Sequence, residues 1–287
     1  MPELPEVETI VRGLHTRVAG DTVESVWIGS RPQPLKSPAG VIAATLEGKR
    51  IVRVHRAGKH IVFDLEGEAE PKRGTRVRSQ TRQAASLERR AQWIVHLGMT
   101  GRMVISEPAA DHAKHTHLIA KLASGRELRF TDPRMFGKLS VHPGGFDPGG
   151  VEPLEVSEER FLKLFRGRKT PIKSALLNQK LLRGVGNIYA DESLFRAGIR
   201  PRRRASAITR ARLRKLHRAV GEVLREAIAL GGSSISDYVD ADGDEGFFQL
   251  QHRVYGREGE PCLVCQTRIR RIVLAGRSSH YCPKCQK

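Results

Sequence analysis

Cys262, Cys265, Cys282 and Cys285 are all the cysteines of the chain and read C-x2-C-x16-C-x2-C. Two knuckles of this kind set four thiolates around one tetrahedral Zn2+ ion. Turn-forming Pro261 and Pro283, with the β-type run 269–274 between the knuckles, suit a zinc ribbon, a hairpin too small to fold without its metal. Four ligands leave no open coordination position, so the expected ion is structural. Two disulfides are the alternative, and the chain shows no export signal to favour them. A redox CxxC normally follows a βαβ pattern, which this sequence lacks. Arg268, Arg270, Arg271 and Arg277 lie on the same module and are expected to present cations to phosphate.

The partner implied by the composition is a polyanion. Lys and Arg number 50 against 31 Asp and Glu, a formal charge of +19, which favours nucleic acid through counterion release over a merely solvated basic surface. No stretch approaches the ~18 uncharged apolar residues of a membrane span. The first residues carry neither a basic nor an apolar leader region, so a cytoplasmic protein is expected.

Several elements must position these groups. Pro5 suits the first turn of an N-terminal helix, Glu6 and Glu8 suit its positive end, and Gly20 stops it. From Val23 to Val141 short alternating runs follow (23–28, 51–54, 60–65, 93–97 and 102–105), punctuated by Gly98, Gly101 and Gly125. Their close spacing predicts an antiparallel β-sandwich. Residues 142–150 break both periodicities and read as a linker. Beyond them Leu213, Leu216, Val220, Val223, Leu224 and Ile228 recur at helical steps, with Thr209 as start and Gly231 as stop. Residues 68–90 carry seven basic and three acidic side chains and almost no large apolar one, which marks an insertion between strands that tracks flanking DNA or is a passenger loop.

The segments MPELPEVET, HLGMTG, FTDPRMFGK, GVGNIYADESLF and VYGREGEPC, followed by the zinc ribbon, resemble bacterial formamidopyrimidine-DNA glycosylase. They occur in that family's order from one end of the chain to the other. The resemblance implies an α+β multidomain protein: an N-terminal antiparallel β-sandwich domain with flanking helices over 1–142, a linker over 143–153, a helix-two-turn-helix domain over 154–252 and the zinc ribbon over 253–287. It also implies excision of oxidised purines from double-stranded DNA by a monomeric, nucleoid-associated bacterial enzyme that also cuts the strand.

By the same resemblance Pro2, freed by loss of Met1, is the nucleophile. A secondary amine gives an iminium that cannot shed a nitrogen proton, so it remains an electron sink for elimination. Glu3 is the implied acid toward the sugar ring oxygen, with Glu6 placed to share that work. Lys59 corresponds to a lysine that assists β-elimination, and Arg277 to an arginine associated with δ-elimination. Met99, Arg134 and Phe136 form the set that fills the gap left by a flipped nucleotide. His115, Arg168, Lys169, Asn187 and Tyr255 align with DNA contacts. Two helices over 173–182 and 188–197 are expected to flank the glycine-rich turn at Asn187. Residues 231–251 correspond to a loop closing over the flipped base.

Two other readings compete. One is an endonuclease VIII-like enzyme acting on oxidised pyrimidines, against which Leu4 and the pattern Arg134 to Phe136 speak. The other is a zinc-ribbon DNA-binding protein without catalysis, against which Pro2, Glu3 and Lys59 together speak. The chain departs from the family pattern in the basic insertion, at His60 where an aromatic residue is usual, and at Met135.

Overall fold

The computed structural model describes residues 1–67, 90–108, 114–234, 241 and 246–287. Nearly all of the basic insertion, and residues 235–240 and 242–245 of the loop expected to close over a base, lie outside the described residues. The chain divides into two compact units: Met1–Pro2 with Glu6–Asp147 and Ile235–Glu245, and Glu3–Pro5 with Pro148–Ser234 and Gly246–Lys287.

In the first unit, two four-stranded antiparallel sheets form from short amphipathic runs. One has the order β1 (Val23–Ile28), β6 (Thr116–Leu122), β7 (Glu127–Thr131), β5 (Arg102–Ser106). The other has the order β2 (Lys49–Ala57), β3 (His60–Gly67), β4 (Arg90–His96), β8 (Lys138–His142). Alternation puts Ile61, Phe63 and Leu65 of β3 into a core shared with Leu118, Leu128 and Phe130 of the other sheet, and the Phe63 and Trp93 rings stack at 4.6 Å. This is the expected sandwich. Helix α1 (Leu4–Val18) adds Val7, Ile10, Val11 and Leu14 to the same core. Glu8 does not serve the helix end, as its position suggested. Burial pushes its carboxyl pKa up, but the Arg56 and Arg12 guanidiniums, each at 2.9 Å, outweigh that and hold it below the ordinary value.

One helix in this region was not expected. Residues 39–46 form α2 (Ala39–Leu46), which buries Ile42 and Leu46 behind Pro38. An apolar run of eight residues has no periodicity that distinguishes helix from strand, and tertiary packing decides it.

The second unit is helical: α3 (Glu158–Phe165), α4 (Ile172–Leu176), α5 (Asn187–Ala197) and α6 (Arg210–Ala229) surround a core of Phe161, Phe165, Leu176, Tyr189, Leu194, Leu216 and Leu224. Thr209 caps α6 by accepting the Arg212 N–H, as the sequence predicts. The first helix of the expected pair is a correction: it ends at Leu176, not Leu182. Beyond it, side chains take over the backbone groups that a longer helix would have used. Asn178 Oδ1 accepts the Lys180 N–H at 3.0 Å, while Gln179 donates to the Leu177 and Val185 carbonyls and accepts the Gly184 N–H.

The hairpin β9 (Arg270–Leu274) and β10 (Arg277–Tyr281) is the expected ribbon. Ala275 and Gly276, with φ of 47° and 73°, make its tight turn.

Candidate functional site

The four sulfurs of the ribbon lie within 4.8 Å of one another. Cys262 and Cys285 are 3.9 Å apart and Cys265 and Cys282 3.4 Å, far beyond a disulfide bond and close to the edge of about 3.8 Å that a tetrahedron with Zn–S bonds of about 2.3 Å requires. The Cys285 N–H points at the Cys282 sulfur, a donor that favours thiolate. The donor set fits one structural Zn2+ ion with no site left for substrate. Arg270, Arg271 and Arg277 are exposed on this module, with Arg277 directly after the turn. Arg268 is exposed as well, and its guanidinium donates to the Gly259 carbonyl at 2.8 Å.

Also in the second unit, the start of α5 gathers several of the expected residues. Glu3 is buried and its Oε1 accepts the Ile188 N–H at 3.1 Å. A negative group there meets the positive end of the helix. A side chain at Gly186 would collide with this carboxylate, which is why the turn before Asn187 needs glycine. Asn187, expected as a phosphate donor, donates here to Ser278 Oγ at 3.3 Å. Burial raises the pKa of the Tyr255 hydroxyl, so it stays protonated and available as a donor. Arg168 and Lys169 are exposed, and Arg168 bonds the Leu164 carbonyl.

Sequence reasoning missed the buried charges behind this surface. Lys173, 1% exposed, lies 2.7 Å from Asp191 Oδ1 and donates to the Ser278 carbonyl, while Asp191 Oδ2 accepts the His280 N–H at 2.9 Å. Burial depresses the Lys173 pKa, opposed by Asp191. Glu192 accepts three successive N–H groups, of Arg253, Val254 and Tyr255, at 2.8 to 2.9 Å. These two carboxylates tie α5 to β10 and to the chain before the zinc knuckles. The signal available was the pair Asp191-Glu192 between the apolar residues Ile188, Tyr189, Ala190 and Leu194 of one helix, since carboxylates buried there require partners.

In the first unit Pro2 is buried, and Lys59 is buried in the turn between β2 and β3. The three expected gap-filling residues project from two adjacent loops. Met99 and Phe136 are 40% and 51% exposed, which excludes a core role, and the Arg134 guanidinium lies 5.0 Å from the Phe136 ring centroid. His115 has a left-handed φ of 69°.

His60 stands beside His96, with ring centroids 5.0 Å apart. Burial, followed by the nearby His60, Lys59 and Lys138, depresses the His96 pKa to about 4. Its Nδ1 accepts the Gly98 N–H at 3.1 Å, a bond that requires the neutral ring. The unfolded chain therefore binds this proton below about pH 6.5 while the folded chain refuses it to about 4, so stability falls on acidification through that window. Between pH 7 and 5 this one residue costs about 2 kcal/mol. Urea unfolding at the two pH values should show His96→Asn, which keeps an acceptor for Gly98, losing that much less stability than wild type. Equal losses would remove His96 as the cause.

Comparison with known proteins follows this division. Residues 1–139 match the family model described as formamidopyrimidine-DNA glycosylase N-terminal domain, 150–239 the formamidopyrimidine-DNA glycosylase H2TH domain, and 259–287 a zinc finger found in FPG and IleRS. Formamidopyrimidine-DNA glycosylase of Solibacter usitatus is 46% identical over 290 residues, and that of Desulfitobacterium hafniense 40% over 295, each alignment covering 100% of both chains. A Lactococcus lactis FPG variant bound to Fapy-dG-containing DNA superposes with a TM-score of 0.84 at 32% identity, covering 100% of both chains. The FPG protein of Thermus thermophilus gives 0.82 at 40% identity, covering 99% of this chain and 98% of that one.

Proposed function

The chain belongs to the formamidopyrimidine-DNA glycosylase family, and on that premise we propose that it removes oxidised purines, 8-oxoguanine and formamidopyrimidines, from duplex DNA and then cuts the strand by β,δ-elimination. The observation that carries this reading is the burial of Pro2 and Glu3 where chain ends ordinarily fray, with Glu3 anchored on the first turn of α5.

In this reading the Pro2 nitrogen, released by loss of Met1, attacks C1′ of the damaged nucleotide. The N–C1′ bond forms, the C1′–base bond breaks and the base leaves with its electron pair. The N–H proton of the attacking amine passes to the Glu3 carboxylate, which delivers it to the ring oxygen as the ring opens, giving the iminium. That cation acidifies C2′–H, and loss of this proton expels the 3′ phosphate. Lys59 assists this step and Arg277 the second elimination, at the 5′ phosphate, where a planar guanidinium grips two oxygens. Met99, Arg134 and Phe136 occupy the vacated stack. His115, Arg168, Lys169, Asn187 and Tyr255 hold the backbone, Asn187 after giving up its bond to Ser278. The enzyme acts as a monomer at the bacterial nucleoid. Among the described residues no helix is long and apolar enough to cross a membrane.

Duplexes carrying 8-oxoguanine, a formamidopyrimidine or an oxidised thymine, incubated with the protein and borohydride, test the reading. Cleavage and a trapped adduct on the two purine lesions, ahead of the thymine lesion, are expected. Preference for oxidised thymine transfers the chain to the pyrimidine-directed reading, and binding without any adduct leaves only a DNA-binding role.

A further inference from the structure

The loop carrying Met99 and the loop carrying Arg134 and Phe136 meet on one buried side chain. Asp132 is 0% exposed. Its Oδ1 accepts the Thr100 hydroxyl at 2.5 Å and its Oδ2 the Gly137 N–H at 2.7 Å. Each oxygen thus holds the residue next to an exposed apolar side chain, Thr100 beside Met99 and Gly137 beside Phe136. The Arg134 N–H lies 3.3 Å from both Asp132 Oδ1 and Thr100 Oγ1, closing the turn that Pro133 begins. His117 Nε2 bonds the Asp132 carbonyl at 2.9 Å and fixes the backbone from behind.

The two loops also abut without side chains between them. A Cβ on Gly98 would lie 2.5 Å from Gly137 N and from the Phe136 carbonyl carbon, and one on Gly137 would lie 2.5 Å from the Phe130 ring. Backbone contact alone leaves two loops free to slide past each other, whereas a shared carboxylate removes that freedom. A wedge pushed into stacked bases needs such stiffness, because the cost of unstacking is returned only if the inserted groups hold their place.

We propose that Asp132 is a positioning residue that locks Met99, Arg134 and Phe136 into a single rigid wedge, and that extrusion of a paired base depends on it although it touches neither DNA nor sugar. The inference rests on the functional reading above, which makes those three side chains the gap-filling set.

Two variants test it in the full-length protein. Asp132→Asn replaces one acceptor by a donor, so one of the groups it holds must turn away. Thr100→Val breaks the same link from the other loop and leaves the carboxylate intact, so a fold-related failure of the first variant does not end the test. In both, excision of 8-oxoguanine from an intact duplex should fall by roughly ten- to a hundredfold, as small misplacements of positioning groups do. Cleavage at a preformed abasic site within an unpaired bubble, where no base needs extruding, should stay within about threefold of wild type. Met99→Ala combined with Asp132→Asn should lose less on the intact duplex than the product of the two single losses, because both changes act on one device. Equal losses on the two substrates, or effects that multiply in the double variant, overturn the proposal. Wild-type protein inert on both substrates overturns the functional reading instead, a result distinct from an active wild type whose variants lose both substrates alike.

Discussion

Protein that keeps Met1 forms no borohydride-trapped adduct with abasic-site DNA, and Pro2→Ala lowers strand cleavage by a factor on the order of 10³, as expected for a disabled covalent nucleophile. With Met1 in place the Pro2 nitrogen is an amide and has no lone pair to give. With alanine the amine is primary, so its sugar adduct can lose a proton and relax to a neutral imine that no longer draws electrons from C2′. The alanine amine also lacks the ring that presets the proline nitrogen inside its buried position. Single-turnover cleavage, with peptide mass mapping of the adduct, measures both effects. An adduct that maps to another residue, or an alanine variant that cuts as fast as wild type, would defeat the mechanism.

The second large effect is expected at the metal. Cys282→Ser, or removal of Zn2+ by a chelator, should unfold the ribbon and weaken binding to damaged duplex at least ~10-fold, or ~1.4 kcal/mol, while the strand-rich first unit keeps its own unfolding transition. The ribbon's own apolar core is little more than Val254, Ile269, Cys262 and Cys282, two of which are ligands. Structural zinc contributes about 10–16 kcal/mol to modules of this kind, far more than those few side chains supply. Loss of the hairpin releases Arg277 and also the Ser278 and His280 backbone groups that hold Lys173 and Asp191. Damage should therefore spread to the start of α5. Undiminished affinity in zinc-free protein would contradict a role for the ribbon in DNA binding.

Features set by nearest neighbours along the chain were readable without coordinates. Cysteine spacing determined the zinc site, because two-residue gaps bend each knuckle back on itself whatever surrounds it. Leucine and valine periodicity with Thr209 determined α6, and alternation with glycine turns determined the sandwich strands. Only the tertiary structure decided whatever depends on a distant partner. The Ile188 N–H that receives Glu3 is 185 residues away, and Glu192 finds its donors 61 to 63 residues along the chain. Asp132 reads locally as a turn residue, yet its second loop arrives from 32 residues earlier. The existence of α2 was likewise settled by packing, since a short apolar run satisfies either backbone pattern until a neighbouring surface selects one. A buried charge costs too much to remain unpaired, so the fold must bring its partner from wherever the chain holds one, and that search leaves no trace in local sequence.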